Sequence, residues 1–326
     1  MRAAVVGSDG RFEVVAVPDP TPGPGELLLR VTACGLCGSD VKARDAMPEG
    51  TIMGHEFGGE VVAVGADTAG WREGAYAAVL PVLACGRCEW CTSGYVAHCP
   101  AARLIGLGGS AGGFAEFAVV TPFAAFPLPA EADPLHGALV EPFAVGLHCV
   151  RAGRLERGND VLVVGAGSVG LTTMAWARAL GAGRITAVDP LAARQAIAES
   201  FGATDVLTSV DEAASGTYDV VVECVGKPGL LDACVDAARI RGRIVVAGVS
   251  IEPTPFMSVL ALLKEVSIEF PVYYTPEEFR TVIAAFASGQ IDPSGRVSGK
   301  GAVSRVGGGV EMLTQTVASA KILIAP

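Results

Sequence analysis

Four cysteines, Cys85, Cys88, Cys91 and Cys99, stand as C-x2-C-x2-C-x7-C. Thiolates this close in sequence can fill a tetrahedral zinc shell by themselves, leaving no position for a substrate, so the expected metal is structural. An iron–sulfur cluster competes, because Cys99-Pro100 after C-x2-C-x2-C matches part of a ferredoxin run. That run has three residues before its last Cys and here there are seven, which favours zinc. A second set of zinc-type donors is dispersed: Cys37, the run Gly54-His55-Glu56, and Glu141. Donors drawn from separate segments suit a catalytic zinc, which keeps one position open. Taken singly, Cys37 reads as a buried thiol, His55 as a core histidine and Glu141 as a helix cap. Their company favours ligation by Cys37 and His55, with Glu56 and Glu141 as third ligand and exchange partner. Cys34, three positions before Cys37, is a rival ligand.

A third feature is the turn Gly165-Ala166-Gly167-Ser168-Val169-Gly170, which follows the apolar run Val161-Leu162-Val163-Val164 and opens a helical pattern. Gly165 permits a tight turn, Gly167 lets a pyrophosphate approach the helix N-terminus at Ser168 and Val169, and Gly170 allows close helix–strand packing. Asp189 lies nineteen positions after Gly170, placed to accept hydrogen bonds from the adenosine ribose hydroxyls. Its charge would repel a 2′-phosphate, so NAD is expected over NADP; Arg194 is the nearby residue that works against this preference. The bland alternative is a loop rich in glycine for packing alone. Together the three features point to a dehydrogenase that uses zinc and a nicotinamide dinucleotide.

Composition narrows the partners. Net charge is −10 with no basic block, which disfavours nucleic acid, and small molecules are the expected partners. Hydrophobic residues make up 51%, much of it Ala and Val, yet no uninterrupted apolar run is long enough to span a bilayer. The first ten residues turn polar too early for an export signal, so a cytoplasmic location is expected. Nine cysteines without such a signal argue for metal ligation over disulfides. Of these, Cys149, Cys224 and Cys234 sit in apolar surroundings and read as small buried hydrophobes.

The elements that must hold these groups fall into two styles. Phe12–Val17, Glu26–Val31, Phe57–Val64 and Phe114–Val120 read as short strands, with the cysteine cluster in a loop that lacks hydrophobic periodicity. The pattern turns helical from Asp133 to Ala152. From Asp160 onward strand, turn and helix alternate: strands at 161–164, 185–189, 219–223 and 243–248, helices at 171–180, 192–201 and 229–238. A further helix near 276–288 and a β-like end at 320–324 are too small to fold alone and are expected to return to the first lobe. The expected class is α/β with three segments: 1–141 a mostly-β domain with both metals, 142–272 a doubly wound parallel-sheet domain, and 273–326 completing the first.

The sequence resembles the medium-chain, zinc-dependent alcohol/polyol dehydrogenases, the group of sorbitol, threonine and butanediol dehydrogenases. The likeness rests on Cys37-Gly38-Ser39-Asp40, Gly54-His55-Glu56, the four-Cys loop, Glu141-Pro142, the glycine turn and Lys264-Glu265, and covers nearly the whole chain. It implies a GroES-like catalytic domain, a Rossmann domain, an active-site cleft between them, and a homodimer or homotetramer paired through the Rossmann sheet edge near Val266–Tyr273. By the same resemblance, Cys37, His55 and Glu56 are catalytic zinc ligands and Glu141 an additional or alternating one. Ser39 is the hydroxyl that takes the substrate proton, and Asp40 the carboxylate that orients the zinc-bound histidine. The chain departs from the pattern at Lys42, where family members often carry a histidine, and between Asp40 and Gly54, which is shortened. His98 and His136 match no catalytic position.

The reaction these residues imply is hydride transfer between the carbinol carbon of a secondary alcohol, polyol or hydroxylated ring and NAD, with zinc as Lewis acid. The alternatives are a zinc-free quinone or enone reductase of the same fold, and a non-catalytic protein that binds NADH as a signal.

Overall fold

The computed structural model describes residues 1–293, 297, 299–308 and 320–326. Part of the expected segment 273–326 therefore lies outside the described residues. The chain divides into two compact units: Met1–Glu141 with the segments that begin at Thr275 and Lys321, and Pro142–Tyr274.

In the first unit, β1 (Arg2–Val6) and β2 (Phe12–Ala16) form an antiparallel pair. The centre is β3 (Leu27–Gly35), whose Leu27, Leu29, Val31 and Ala33 alternate into the core. This is the period of two that half-buried strands need. After β3 comes the short helix α1 (Gly38–Ala43), then β4 (Glu56–Val64), β5 (Tyr76–Val79) and β6 (Val82–Leu83). A single helical turn α2 (Glu89–Thr92), then β7 (Arg103–Leu104), β8 (Phe117–Val120) and β9 (Ala125–Pro127) follow. Helix α3 (Val140–Ala152) carries Glu141 in its first turn.

The second unit holds β10 (Val161–Val164), α4 (Ser168–Ala179), β11 (Ile185–Val188), α5 (Ala192–Ser200), β12 (Asp205–Leu207) and β13 (Tyr218–Glu223). It continues with α6 (Leu230–Ala237), β14 (Ala238–Val246), α7 (Ser258–Leu263) and β15 (Ser267–Glu269). Its six strands are parallel in the order β12-β11-β10-β13-β14-β15. All four residues of β10 are buried. Such continuous apolar runs mark parallel strands covered on both faces, and each buried valine contributes about 1.5–3 kcal/mol.

The chain then returns to the first unit through α8 (Pro276–Ala287), β16 (Gly299–Gly301) and β17 (Ile322–Ile324). Thr275 and Glu278 cap α8 reciprocally, each side chain bonding the other's backbone N–H at 3.1 and 2.7 Å. Strand β17 pairs with β3 at Leu323↔Gly35 and Ile324↔Cys34, so the last strand lies beside the segment that leads to Cys37. The resulting sheet runs β16-β17-β3-β4-β5-β9, with β8 also on β3. The sheet content is thus the mostly-β and doubly wound combination expected from the sequence. Among the described residues no helix is long and apolar enough to cross a membrane.

Candidate active site and metal centres

The cysteine cluster gathers around α2. Cys85, Cys88, Cys91 and Cys99 offer sulfurs that all lie within 4.8 Å of one another. Cys88 and Cys91 are 3.5 Å apart and Cys85 and Cys91 3.9 Å. A tetrahedron built on zinc–sulfur bonds has edges of about 3.8 Å, so the set fits the metal. Backbone geometry prepares it: the N–H groups of Arg87 and then Cys88 point at the Cys85 sulfur and lower its pKa to about 6. Cys91 shows the opposite, pushed up to about 12 by burial and by the neighbouring Cys88 thiol. Two aromatic side chains of this segment, Trp90 and Tyr95, lie 5.7 and 6.3 Å from the His98 ring, which gives His98 a packing role.

The dispersed donors meet at the junction of β3, α1 and β4. Cys37, His55 and Glu56 each place a ligand atom within 4.8 Å of the others. Thiolate, imidazole and carboxylate are the donors zinc takes, so this set also fits. Two glycines permit the approach. Gly54 (φ +94) lacks the Cβ that would stand 2.7 Å from both the Cys34 sulfur and the Phe114 ring. At Gly35, opposite Glu56 in the ladder, a Cβ would stand 2.1 Å from Glu56 Oε2. Asp40, fully buried, fixes the remaining geometry: Oδ2 accepts from the Cys37 N–H at 2.9 Å and Oδ1 pairs with His55 Nδ1 at 3.1 Å. A proton held on Nδ1 leaves the Nε2 lone pair for a metal. Burial disfavours the imidazolium, but the Asp40 carboxylate outweighs it and raises the pKa of metal-free His55 well above its ordinary value. Ser39 Oγ lies 3.2 Å from His55 Nε2. Lys42 follows one turn later on α1.

Glu141 is buried but falls outside the three-donor group, although its charge acts on Lys321. Lys321 is the site residue that sequence reasoning misses. The residue is 4% exposed, and its Nζ lies 2.7 and 2.6 Å from the two oxygens of Glu56 and 3.3 Å from the Leu36 carbonyl. Burial opposes the charge on this amine; the Glu56 carboxylate reverses the effect and raises its pKa. No local motif marks Lys321: the only signal is a cation beside the apolar run Ile322-Leu323-Ile324, a burial that demands a counter-charge. Cys34, the rival ligand, is buried in β3 with its sulfur 3.7 Å from the Gly35 carbonyl and lies outside the donor group.

The glycine turn connects β10 to α4, with Gly167 at the helix N-cap. Gly165 adopts φ +98, and a Cβ on Gly170 would stand 1.9 Å from the Gly165 carbonyl oxygen. Nothing fills the space a Gly167 Cβ would enter. The N-terminal N–H groups at Ser168 and Val169 thus suit a pyrophosphate. Asp189 follows β11 and is 3% exposed. Its Oδ2 accepts from Ala166 N–H and its Oδ1 from Leu191 N–H, both at 3.0 Å, leaving each oxygen a further lone pair. The sequence has no arginine adjacent to Asp189, but α5 brings Arg194 Nη1 to 3.7 Å from Oδ2. Lys264 turns out to be a structural residue: its ammonium donates to the carbonyls of Val235, Asp236 and Ala238 at the end of α6, where the helix dipole favours a cation. His136 packs its ring 6.0 Å from that of Phe286.

Comparison with known proteins agrees with both halves. Residues 23–130 match the alcohol dehydrogenase GroES-like domain and residues 168–288 the zinc-binding dehydrogenase domain. Sorbitol dehydrogenase of Bacillus subtilis (strain 168) is 30% identical over 76% of this chain and 75% of its own. L-threonine 3-dehydrogenase of Pyrococcus abyssi is 34% identical over 72% of each. A candidate zinc-binding dehydrogenase of Sinorhizobium meliloti 1021, crystallised with NADP, superposes with a TM-score of 0.91 at 30% identity, covering 100% of this chain and 99% of that one. The chain therefore belongs to the zinc-binding, NAD(P)-dependent alcohol and polyol dehydrogenases of the medium-chain superfamily.

Proposed function

We propose that this chain interconverts a secondary alcohol, polyol or hydroxylated ring and its ketone, with NAD as hydride carrier, a catalytic zinc at Cys37 and His55, and a structural zinc at the four cysteines. The observation that carries the reading is the convergence of Cys37, His55 and Glu56, with Asp40 orienting the imidazole. A zinc ion bound there supplies a Lewis acid that makes a substrate hydroxyl acidic near neutral pH. NAD supplies the acceptor for the hydride that leaves the carbinol carbon.

The chain's own residues do the remaining work. Asp40 holds the His55 tautomer, and Cys37 contributes negative charge and soft character. Ser39 Oγ takes the substrate hydroxyl proton and passes it on. Glu56, held by Lys321, and Glu141 are the carboxylates available as third or exchanging ligand. Asp189 receives the ribose hydroxyls and opposes a 2′-phosphate, while Arg194 is already paired with that carboxylate and offers little to a further anion. The polyol and amino-alcohol names of the relatives support a hydroxylated substrate with a secondary carbinol. Subunits pair through β15, an edge strand flanked by exposed Leu262, Leu263, Phe270 and Val272.

The test is reduced-cofactor formation by the zinc-loaded chain over primary alcohols, secondary alcohols, diols, polyols, inositols and threonine, with NAD and with NADP. A chelator-sensitive rate with NAD on one hydroxylated class supports the reading. Rates that ignore the chelator, or that appear only with NADP, contradict it.

A further inference from the structure

Strand order in the second unit reverses at β10: β11 and β12 lie to one side, β13 to β15 to the other. A dinucleotide crossing such a switch point lays its adenosine half on the β10–β11 side, where Asp189 stands, and its nicotinamide half over the ends of β13 and β14. Glu223, the last residue of β13, shapes those ends and is only 3% exposed. Its Oε1 accepts from the N–H groups of Val225 at 2.6 Å and Gly226 at 2.8 Å. Its main-chain carbonyl accepts from Ala247 at 2.8 Å and Gly248 at 2.9 Å, the first residues beyond β14. One residue therefore ties the turn after β13 to the turn after β14.

The surroundings leave these turns little freedom. A Cβ on Gly248 would stand 2.6 Å from Glu223 Oε2 and 2.1 Å from Gly226 N, and one on Gly226 (φ +71) would stand 2.4 Å from the Val249 carbonyl oxygen. Val225 Cγ2 lies 2.7 Å from where a Gly165 Cβ would be, so the held turn abuts the first glycine of the nucleotide turn. On the other flank Glu223 lines a cavity with Lys227, Val249 and Phe270. A buried carboxylate is costly unless it is hydrogen-bonded, and here two peptide N–H groups converge on Oε1. A turn that needed only to connect β13 to α6 would not require a charge.

We propose that Glu223 is a positioning residue for the nicotinamide half of the dinucleotide, acting by fixing the backbone of Val225–Gly226 against Ala247–Gly248. The proposal rests on the dinucleotide reading. It is tested on the full zinc-loaded chain by calorimetric binding of NADH and of AMP, which probes the adenosine side alone. In Glu223→Ala we expect the affinity for NADH to fall at least about tenfold, as loss of two charge-assisted bonds implies, with AMP affinity changed less than about twofold. Glu223→Gln keeps an acceptor oxygen and should restore most of the NADH affinity. An alanine variant that binds both ligands normally, or loses both together, overturns the proposal. If Glu223→Ala does not fold, Glu223→Asp, whose carboxylate is one methylene short, must show the same split in smaller degree; equal affinities overturn it. A wild-type chain that binds neither ligand removes the dinucleotide reading itself, a failure visible without any variant.

Discussion

At Cys85 two backbone N–H groups point at the sulfur and lower its pKa to about 6, while burial and the Cys88 thiol push Cys91 up to about 12. In the metal-stripped chain at pH 7, about one unit above the first value, Cys85 is mostly thiolate and Cys91 mostly thiol. Alkylation followed by peptide mass spectrometry should mark Cys85 before Cys91; the reverse order would contradict the geometry. Lys321 and Glu56 are a second residue-scale case, both buried and doubly bonded. Lys321→Met leaves the Glu56 charge without its partner, and we expect a loss of about 3–5 kcal/mol in the metal-free chain by urea unfolding. The loss should shrink in the zinc-loaded chain, where the metal supplies compensating charge; equal losses in both forms would count against Glu56 lying close to the metal. The contrast explains what a sequence discloses. Cys85 to Cys99 are legible because the donors are neighbours, whereas Lys321 meets Glu56 across 265 positions and no spacing encodes it.

At the scale of elements, the tightest constraint is the contact between α4 and the turn after β10. A Cβ on Gly170 would meet the Gly165 carbonyl oxygen at 1.9 Å, a backbone atom that cannot swing aside. Gly170→Ala should therefore destabilise the second unit by about 1–3 kcal/mol and weaken NADH binding more than zinc binding, measured by thermal unfolding and by titration. Unchanged NADH affinity would show that the turn does not hold the pyrophosphate. The runs of β10, β11 and β13 are readable because strands buried on both faces are rich in valine and other β-branched or apolar residues. Strand β14 was harder: it begins at Ala238, five residues before the run at Arg243, and the exposed Arg239, Ile240 and Arg241 in its first half break the apolar pattern. Helices α1 and α7, six residues each, are too short to display a 3.6-residue period. The Lys264 marker is visible in the sequence, but only the end of α6 reveals its task.

On the scale of the whole molecule, the chain closes its first unit with its last strand, and the β17–β3 pairing brings Lys321 to Glu56. The second unit leaves β15 at a sheet edge beside exposed Leu262, Leu263, Phe270 and Val272. An edge of this kind invites pairing, and light scattering after gel filtration should give a dimer or a multiple of it; a monomer at micromolar concentration would contradict subunit pairing there. Two metals with separate tasks are the central claim. The most direct measurement is zinc content per chain, NADH binding and alcohol oxidation in wild type and in His55→Ala. We expect two zinc ions and turnover in the wild type, and in His55→Ala one zinc ion, intact NADH binding and no turnover. A His55→Ala chain that keeps both zinc ions and the wild-type rate would contradict it.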